Sequence, residues 1–278
     1  MADRSVAQWR TVFITGGGSG IGRQLALMLA ARGADLALFD LHVTDAVRVE
    51  VEAARRSPEQ RVSVHEVDVR DAGALAAAVD AAVAAIGAPA LAVNSAGISR
   101  NERFAAGALD DFELTLQVNL VGSRNFAAAV LPHMSSGSRL ALIASLAGIT
   151  GGYTYAGYAA SKAGVIGLAK VLRLEYAPRG VGVSVICPPE ILTPMVERAS
   201  INMHPATRAL KDVAGTLPIE VACAEILAGL ARGRFTVIPG SRARRTARIT
   251  RLLPERVSQG AADRIVRRAL REHPDAPR

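Results

Sequence analysis

Short runs of aliphatic and β-branched residues alternate along the chain with alanine-rich stretches of helical character. TVFIT (11 to 15), DLALF (35 to 39), RVSVHEV (61 to 67), ALAVN (90 to 94), RLALIAS (139 to 145), VGVSVIC (181 to 187) and FTVIP (235 to 239) predict strands. Between them, helices are expected over about 19 to 32, 71 to 85, 109 to 134, 155 to 177 and 219 to 232, with another after the second strand. Repeated strand–helix units of this length predict an α/β fold, a doubly wound parallel sheet with helices on both faces. Pro188, Pro189 and Pro194 interrupt the rhythm after the sixth strand, and no internal repeat or low-complexity linker marks a second domain.

At 278 residues, half of them hydrophobic, the chain is long enough for one large domain with a substantial core. Its +8 charge is concentrated: residues 240 to 278 hold 11 arginines against 4 acids, leaving the rest nearly neutral. The expected organisation is therefore one folded domain over 1 to 240 and an arginine-rich helical extension over 241 to 278. Cys187 and Cys223 stand apart without a CxxC, and the histidines do not cluster, so no disulfide and no metal site is expected. MADRSVAQWR lacks the apolar centre of a secretory signal and no apolar run reaches membrane-spanning length, which predicts a cytoplasmic protein.

The first strand and first helix are joined by TGGGSGIG, residues 15 to 22. Glycines there permit a tight turn and bring backbone amides against a pyrophosphate, whose charge is favoured at a helix amino terminus. Gly16, Ser19, Gly20, Ile21 and Gly22 are thus candidate cofactor residues, and the missing GK[ST] ending disfavours a nucleoside triphosphate. Asp40 ends the second strand where a carboxylate can accept from adenosine ribose hydroxyls, and it would repel a 2′-phosphate, favouring NAD over NADP. Arg23 has two readings, a solvated helix residue or a cation reaching a phosphate.

Three of the four tyrosines, Tyr153, Tyr155 and Tyr158, fall within GGYTYAGYAASKAG at 151 to 164, just before Lys162, one of only three lysines. Residues four apart share a helix face, so the Lys162 ammonium can lie near the Tyr158 phenol and favour its ionised form. With TGGGSGIG, Asp68 in VDV, NSAG at 94 to 97, Asn119 in VNL and Ser145 in IAS, this YAASK resembles the short-chain dehydrogenase/reductase family over roughly residues 10 to 240.

The resemblance implies a Rossmann-type sheet, oxidoreduction with a nicotinamide dinucleotide, and a catalytic set of Asn119, Ser145, Tyr158 and Lys162. Tyr158 would exchange the proton, Ser145 hold the substrate oxygen, Lys162 bind the nicotinamide ribose and Asn119 support a water relay. Asp68, Val69, Asn94, Gly97, Pro188 and Thr193 would complete the cofactor site, while Tyr153 and Tyr155 would border the substrate. The activity so implied is NAD(H)-dependent interconversion of a secondary alcohol and a ketone, on an apolar lipid or steroid-like substrate. A homodimer or homotetramer packed through the helices near 109 to 134 and 155 to 177 would follow.

In CPPEILTPM (187 to 195) Pro189 replaces the family's usual glycine. PPE is similar to members like the 3-ketodihydrosphingosine reductases, which opens an NADPH-dependent reduction of a long-chain 3-oxo lipid as an alternative. A non-catalytic cofactor-binding regulator is another. Glu190 is expected as a solvated loop acid or a substrate-facing carboxylate. Residues 195 to 218, including Met195, Val196, Ile201, Met203 and Leu210, occupy the place of the family's substrate lid. The basic tail predicts two helices split near Pro254 and Gly260, with apolar stripes at Ile249, Leu252 and Leu253 and at Ile265, Val266, Ala269 and Leu270. Those stripes would pack on the domain or a sister subunit, or meet an anionic membrane surface; nucleic acid is not expected.

Overall fold

A computed structural model describes residues 9–193, 195–197 and 203–274. Seven parallel strands form the main sheet: β1 (Thr11–Thr15), β2 (Asp35–Asp40), β3 (Val62–Glu66), β4 (Leu91–Asn94), β5 (Arg139–Ile143), β6 (Gly182–Ile186) and β9 (Thr236–Val237). Their spatial order is β3-β2-β1-β4-β5-β6-β9. β1 pairs with β2 on one side and β4 on the other, so the winding reverses beside β1 and a cleft opens at the strands' carboxyl ends there. The central strands are continuous apolar runs because helices cover both faces, and Phe13, Phe39 and Phe126 fill one layer while Ile14, Leu36 and Leu38 fill the other.

The covering helices are α1 (Gly20–Ala30), α2 (Asp45–Ala53), α3 (Ala72–Ile86), α4 (Leu109–Leu116), α5 (Gly122–Val130), α6 (Ala147–Thr150), α7 (Ala156–Tyr176), α8 (Pro205–Ala214) and α9 (Ile219–Ala231). Thr44 and Asp71 cap α2 and α3 by accepting from Val47 and Ala74 amides. The helix expected over 109 to 134 is interrupted: a π-helical turn at Gln117–Val121 separates α4 from α5. Gly157 and Gly164 let α7 approach Phe112 and Leu120 within the chain, whereas Gly167 meets open space.

A minor two-stranded sheet joins β7 (Glu190–Ile191) to β8 (Thr216–Leu217), with α8 between them. The tail forms α10 (Ser241–Leu252) and α11 (Glu255–Glu272). Pro254 divides them as expected, but Gly260 lies inside α11, where helix packing against α8 outweighs its propensity. Ala243 and Ala247 of α10 pack with Leu146 and Ala214, and Ala269 of α11 is buried. Among the described residues, no helix is long and apolar enough to cross a membrane. Ile201 lies outside the described residues, as do Pro194 and the rest of 198–202.

Candidate active site

A cavity of about 360 Å³ opens at the carboxyl ends of β1, β4 and β5. Its floor begins with the glycine loop. Gly16 adopts φ +65°, and a Cβ there would stand 2.7 Å from the Ala96 amide nitrogen. Gly22 is tighter still, its added Cβ falling 2.1 Å from the Gly16 carbonyl oxygen. Only glycine allows helix α1 to start against this turn. Gly16, Ser19, Gly20 and Ile21 line the cavity, whereas Gly22 acts from behind it.

Asp40, at the end of β2, accepts from the Gly18 amide at 2.9 Å and the Leu41 amide at 2.8 Å, which fixes its carboxylate at the cavity edge. Arg23 does not reach round to it. Its guanidinium is paired with Glu50 on α2. Asp68 and Val69 also line the cavity, and Arg70 holds the Asp68 carboxylate below the usual range by a side-chain hydrogen bond. Asn94 is different: its carboxamide accepts from Thr15 Oγ1 at 2.7 Å and donates to Ser123 Oγ at 2.8 Å, buried beneath the wall. It does not line the cavity, so its contribution is to fix the β4 turn rather than to touch a ligand.

Ser145 follows β5, and Tyr158 and Lys162 occupy successive turns of α7. Ser145 and Tyr158 both line the cavity, and Ser145 Oγ accepts from the Ala147 amide at 3.1 Å. Lys162 donates to the Ile143 carbonyl at 2.9 Å, with its Nζ 5.8 Å from the Tyr158 ring centre. Burial pushes the Tyr158 phenol up to about 12 and pushes the Lys162 ammonium down to about 8. Burial, rather than a neighbouring charge, is the largest influence on the Tyr158 phenol.

Asn119 sits in the π-helical turn with its side chain fully engaged. It accepts from the Ile98 amide at 2.8 Å and donates to the Ile98 carbonyl and Ser161 Oγ. An added Cβ on Gly97 would meet Asn119 Oδ1 at 3.0 Å and Lys162 Nζ at 3.3 Å, so glycine leaves room for both; Lys162 lines the cavity, whereas Asn119 is buried behind it. Across it, Pro188 lines the wall and its carbonyl accepts from Leu146, while the Thr193 methyl lies over Gly20.

Tyr153 and Tyr155 both face the cavity; the Tyr155 ring lies 5.4 Å from the Tyr158 ring, and the Tyr153 ring lies 4.7 Å from that of His204, tilted by 44°. Between them Thr154 has a left-handed backbone at φ 66°. Thr154 Oγ1, Thr207 Oγ1 and the Tyr153 carbonyl form a triangle of contacts at 2.6 to 2.9 Å that ties this loop to α8.

Glu190 is neither solvated nor free to meet a substrate. Its side chain is 3% exposed and accepts from Lys211 at 2.6 Å, Arg208 at 2.9 Å and Thr216 at 2.8 Å, pinning α8 to β7. Sequence reasoning missed Lys211 and Thr207, which both line the cavity. In a chain with thirty arginines and three lysines, the sparing use of lysine was a signal: Lys162 and Lys211 both face this cavity. Behind Leu146 and Ala214 stand Ala243 and Ala247, so the basic tail backs the substrate side of the site.

The model of the short chain dehydrogenase family matches residues 10–203. Oxidoreductase UcpA of Salmonella typhimurium is 31% identical over 262 residues, covering 90% of this chain and 97% of its own. Among solved structures, levodione reductase superposes with a TM-score of 0.74 at 29% identity, over 84% of this chain and 98% of its own. A short-chain dehydrogenase from Mycobacterium paratuberculosis bound to NAD has the same TM-score at 25% identity, over 84% of this chain and 96% of its own. The glycine turn, the Ser145–Tyr158–Lys162 grouping and these matches agree: the chain belongs to the short-chain dehydrogenase/reductase family and is an oxidoreductase acting on CH–OH groups.

Proposed function

We propose that the protein interconverts a secondary alcohol and a ketone using NAD(H), with Ser145, Tyr158, Lys162 and Asn119 as its catalytic set. The observation that carries this reading is that Ser145, Tyr158 and Lys162 line one cavity, with Lys162 one helical turn beyond Tyr158. The residues suit a dinucleotide: Gly16 and Gly22 hold a turn that a Cβ would fill, and Ser19, Gly20 and Ile21 present the start of α1 to the cavity. When bound, the nicotinamide supplies the hydride acceptor or donor.

The chain's own part is the proton and the oxygen. Tyr158, kept protonated by burial, donates to the carbonyl oxygen during reduction, and Ser145 steadies that oxygen as negative charge develops. In oxidation the same group, as the phenolate, takes the proton from the alcohol. Lys162 would hold the nicotinamide ribose and Asn119 would organise the relay behind it. Asp68, Val69 and Gly97 would line the adenosine side, with Pro188 and Thr193 over the nicotinamide and phosphates.

Asp40 supports NAD over NADP, since its carboxylate is fixed at the cavity edge and Arg23 is committed to Glu50. A wall of Leu146, Ile191, Leu210, Tyr153 and Tyr155 supports an apolar substrate. Exposed Val171 and Leu174 on α7 and Leu109 on α4 support assembly as a homodimer or homotetramer through these helices, in the cytoplasm. Residues 241 to 278 are an extension of this catalytic unit, since Ala243 and Ala247 pack behind its wall.

The test is Tyr158→Phe. NADH binding, followed by fluorescence titration, should persist, while turnover in a ketone screen falls by about 10²–10⁴-fold. Equal turnover by the variant would dismiss the catalytic assignment and favour a cofactor-binding regulator.

A further inference from the structure

The turn between α10 and α11 carries a surface that the catalytic reading does not use. Taking about 100° per residue, Ile249 and Leu252 lie on the side of α10 opposite Ala243 and Ala247, and Leu253 follows at the helix end. The alanines are buried against the domain, whereas Leu252 is 80% exposed and Ile249, Leu253 and Val257 are each more than 40% exposed. Exposed Arg245, Arg248 and Arg256 border this apolar tip. Among the described residues none of the three is ion-paired, in contrast to Arg267 and Arg268 further along α11, which meet Asp263 and Glu272.

We propose that this tip docks the protein on an anionic lipid surface. Unpaired guanidinium groups around four exposed aliphatic side chains match both the charge and the apolar interior of such a surface. A second copy fits poorly. A two-fold contact would set these arginines against their own equivalents, and four side chains fall well short of the roughly 800 Å² per partner of a stable interface. Nucleic acid would explain the arginines but not the exposed leucines. The position is also apt, because the opposite face of α10 packs on Leu146 and Ala214, which line the cavity. Docking would bring the back of this cavity wall near a reservoir of apolar molecules.

Sedimentation of the full chain with phosphatidylcholine vesicles, with and without about one-third phosphatidylglycerol, tests this at about 0.1 M and about 1 M salt. Binding is expected only to the anionic vesicles, and it should weaken in high salt. Leu252→Ser with Leu253→Ser, and separately Arg245→Glu with Arg248→Glu, should each lower the bound fraction about tenfold, while NADH binding and melting temperature stay at wild-type values. Failure to bind anionic vesicles, or equal binding by the leucine variant, overturns the proposal. So does a concentration-dependent dimer that the leucine variant abolishes, which would assign the face to a second copy. Displacement by vesicle-free duplex DNA with no lipid binding would assign it to nucleic acid. None of these outcomes bears on Tyr158.

Discussion

Between β1 and α1 the cleft is shaped by glycines that let backbone touch backbone, whereas from Pro188 onward it is shaped by side chains that hold one another. Gly22 packs against the Gly16 carbonyl, and Asp40 is fixed by two amides. On the opposite side Glu190 gathers Lys211, Arg208 and Thr216, and Thr207 grips the tyrosine loop. The first arrangement tolerates almost no change of shape and makes little use of side-chain identity. The second can be rebuilt with other residues so long as charges and hydroxyls find partners, which suits the part of a site that must differ between substrates.

That contrast can be broken most severely at Gly22. Gly22→Ala forces a carbon against a backbone oxygen, so helix α1 must move; a loss of about 3 kcal/mol in stability is expected, with NADH binding abolished. Denaturant unfolding with a dinucleotide titration checks both, and wild-type behaviour would mean that the turn is softer than its contacts imply. Glu190→Gln should be milder and different in kind. Two cations lose their counter-charge, at about 2 kcal/mol of stability, and substrate KM should rise while NADH affinity holds. A loss confined to NADH affinity would contradict the separation of the two walls.

The pH profile sharpens the comparison at the floor between them. Lys162 is an ammonium below about 8 and loses its proton above it, while Tyr158 stays a phenol up to about 12. For ketone reduction, kcat/KM should therefore be flat below that point and fall about tenfold per unit above it; a plateau reaching pH 10 would show that the ammonium is not required. Smallest is Asp40→Ala, which should narrow the preference for NADH over NADPH by about tenfold, or about 1.4 kcal/mol. Competitive titration of the two dinucleotides measures it, and an unchanged ratio would remove Asp40 from cofactor selection.

The same division explains what the sequence revealed. The strands, the glycine turn and the Tyr158–Lys162 spacing were legible because each depends on local periodicity or on neighbours within one element. Glu190 was not. Its partners lie 18 to 26 residues further on and reach it only through the folding of α8, which no spacing rule specifies. Asn94 was expected at the cofactor, and its place as a buried bridge between Thr15 and Ser123 was not visible in the sequence. The protonation of Tyr158 also escaped, since a charge four residues away is visible in the sequence and the loss of water around a phenol is not.

Thr154 holds a backbone conformation that glycine or asparagine would adopt at lower cost, and it does so at the hinge between two aromatic rings. Relaxing that one residue would shift Tyr153 relative to Tyr155, whose ring packs against Tyr158. A variant library at this single codon is therefore a route to a resized cavity, with altered ligand preference as its selectable trait.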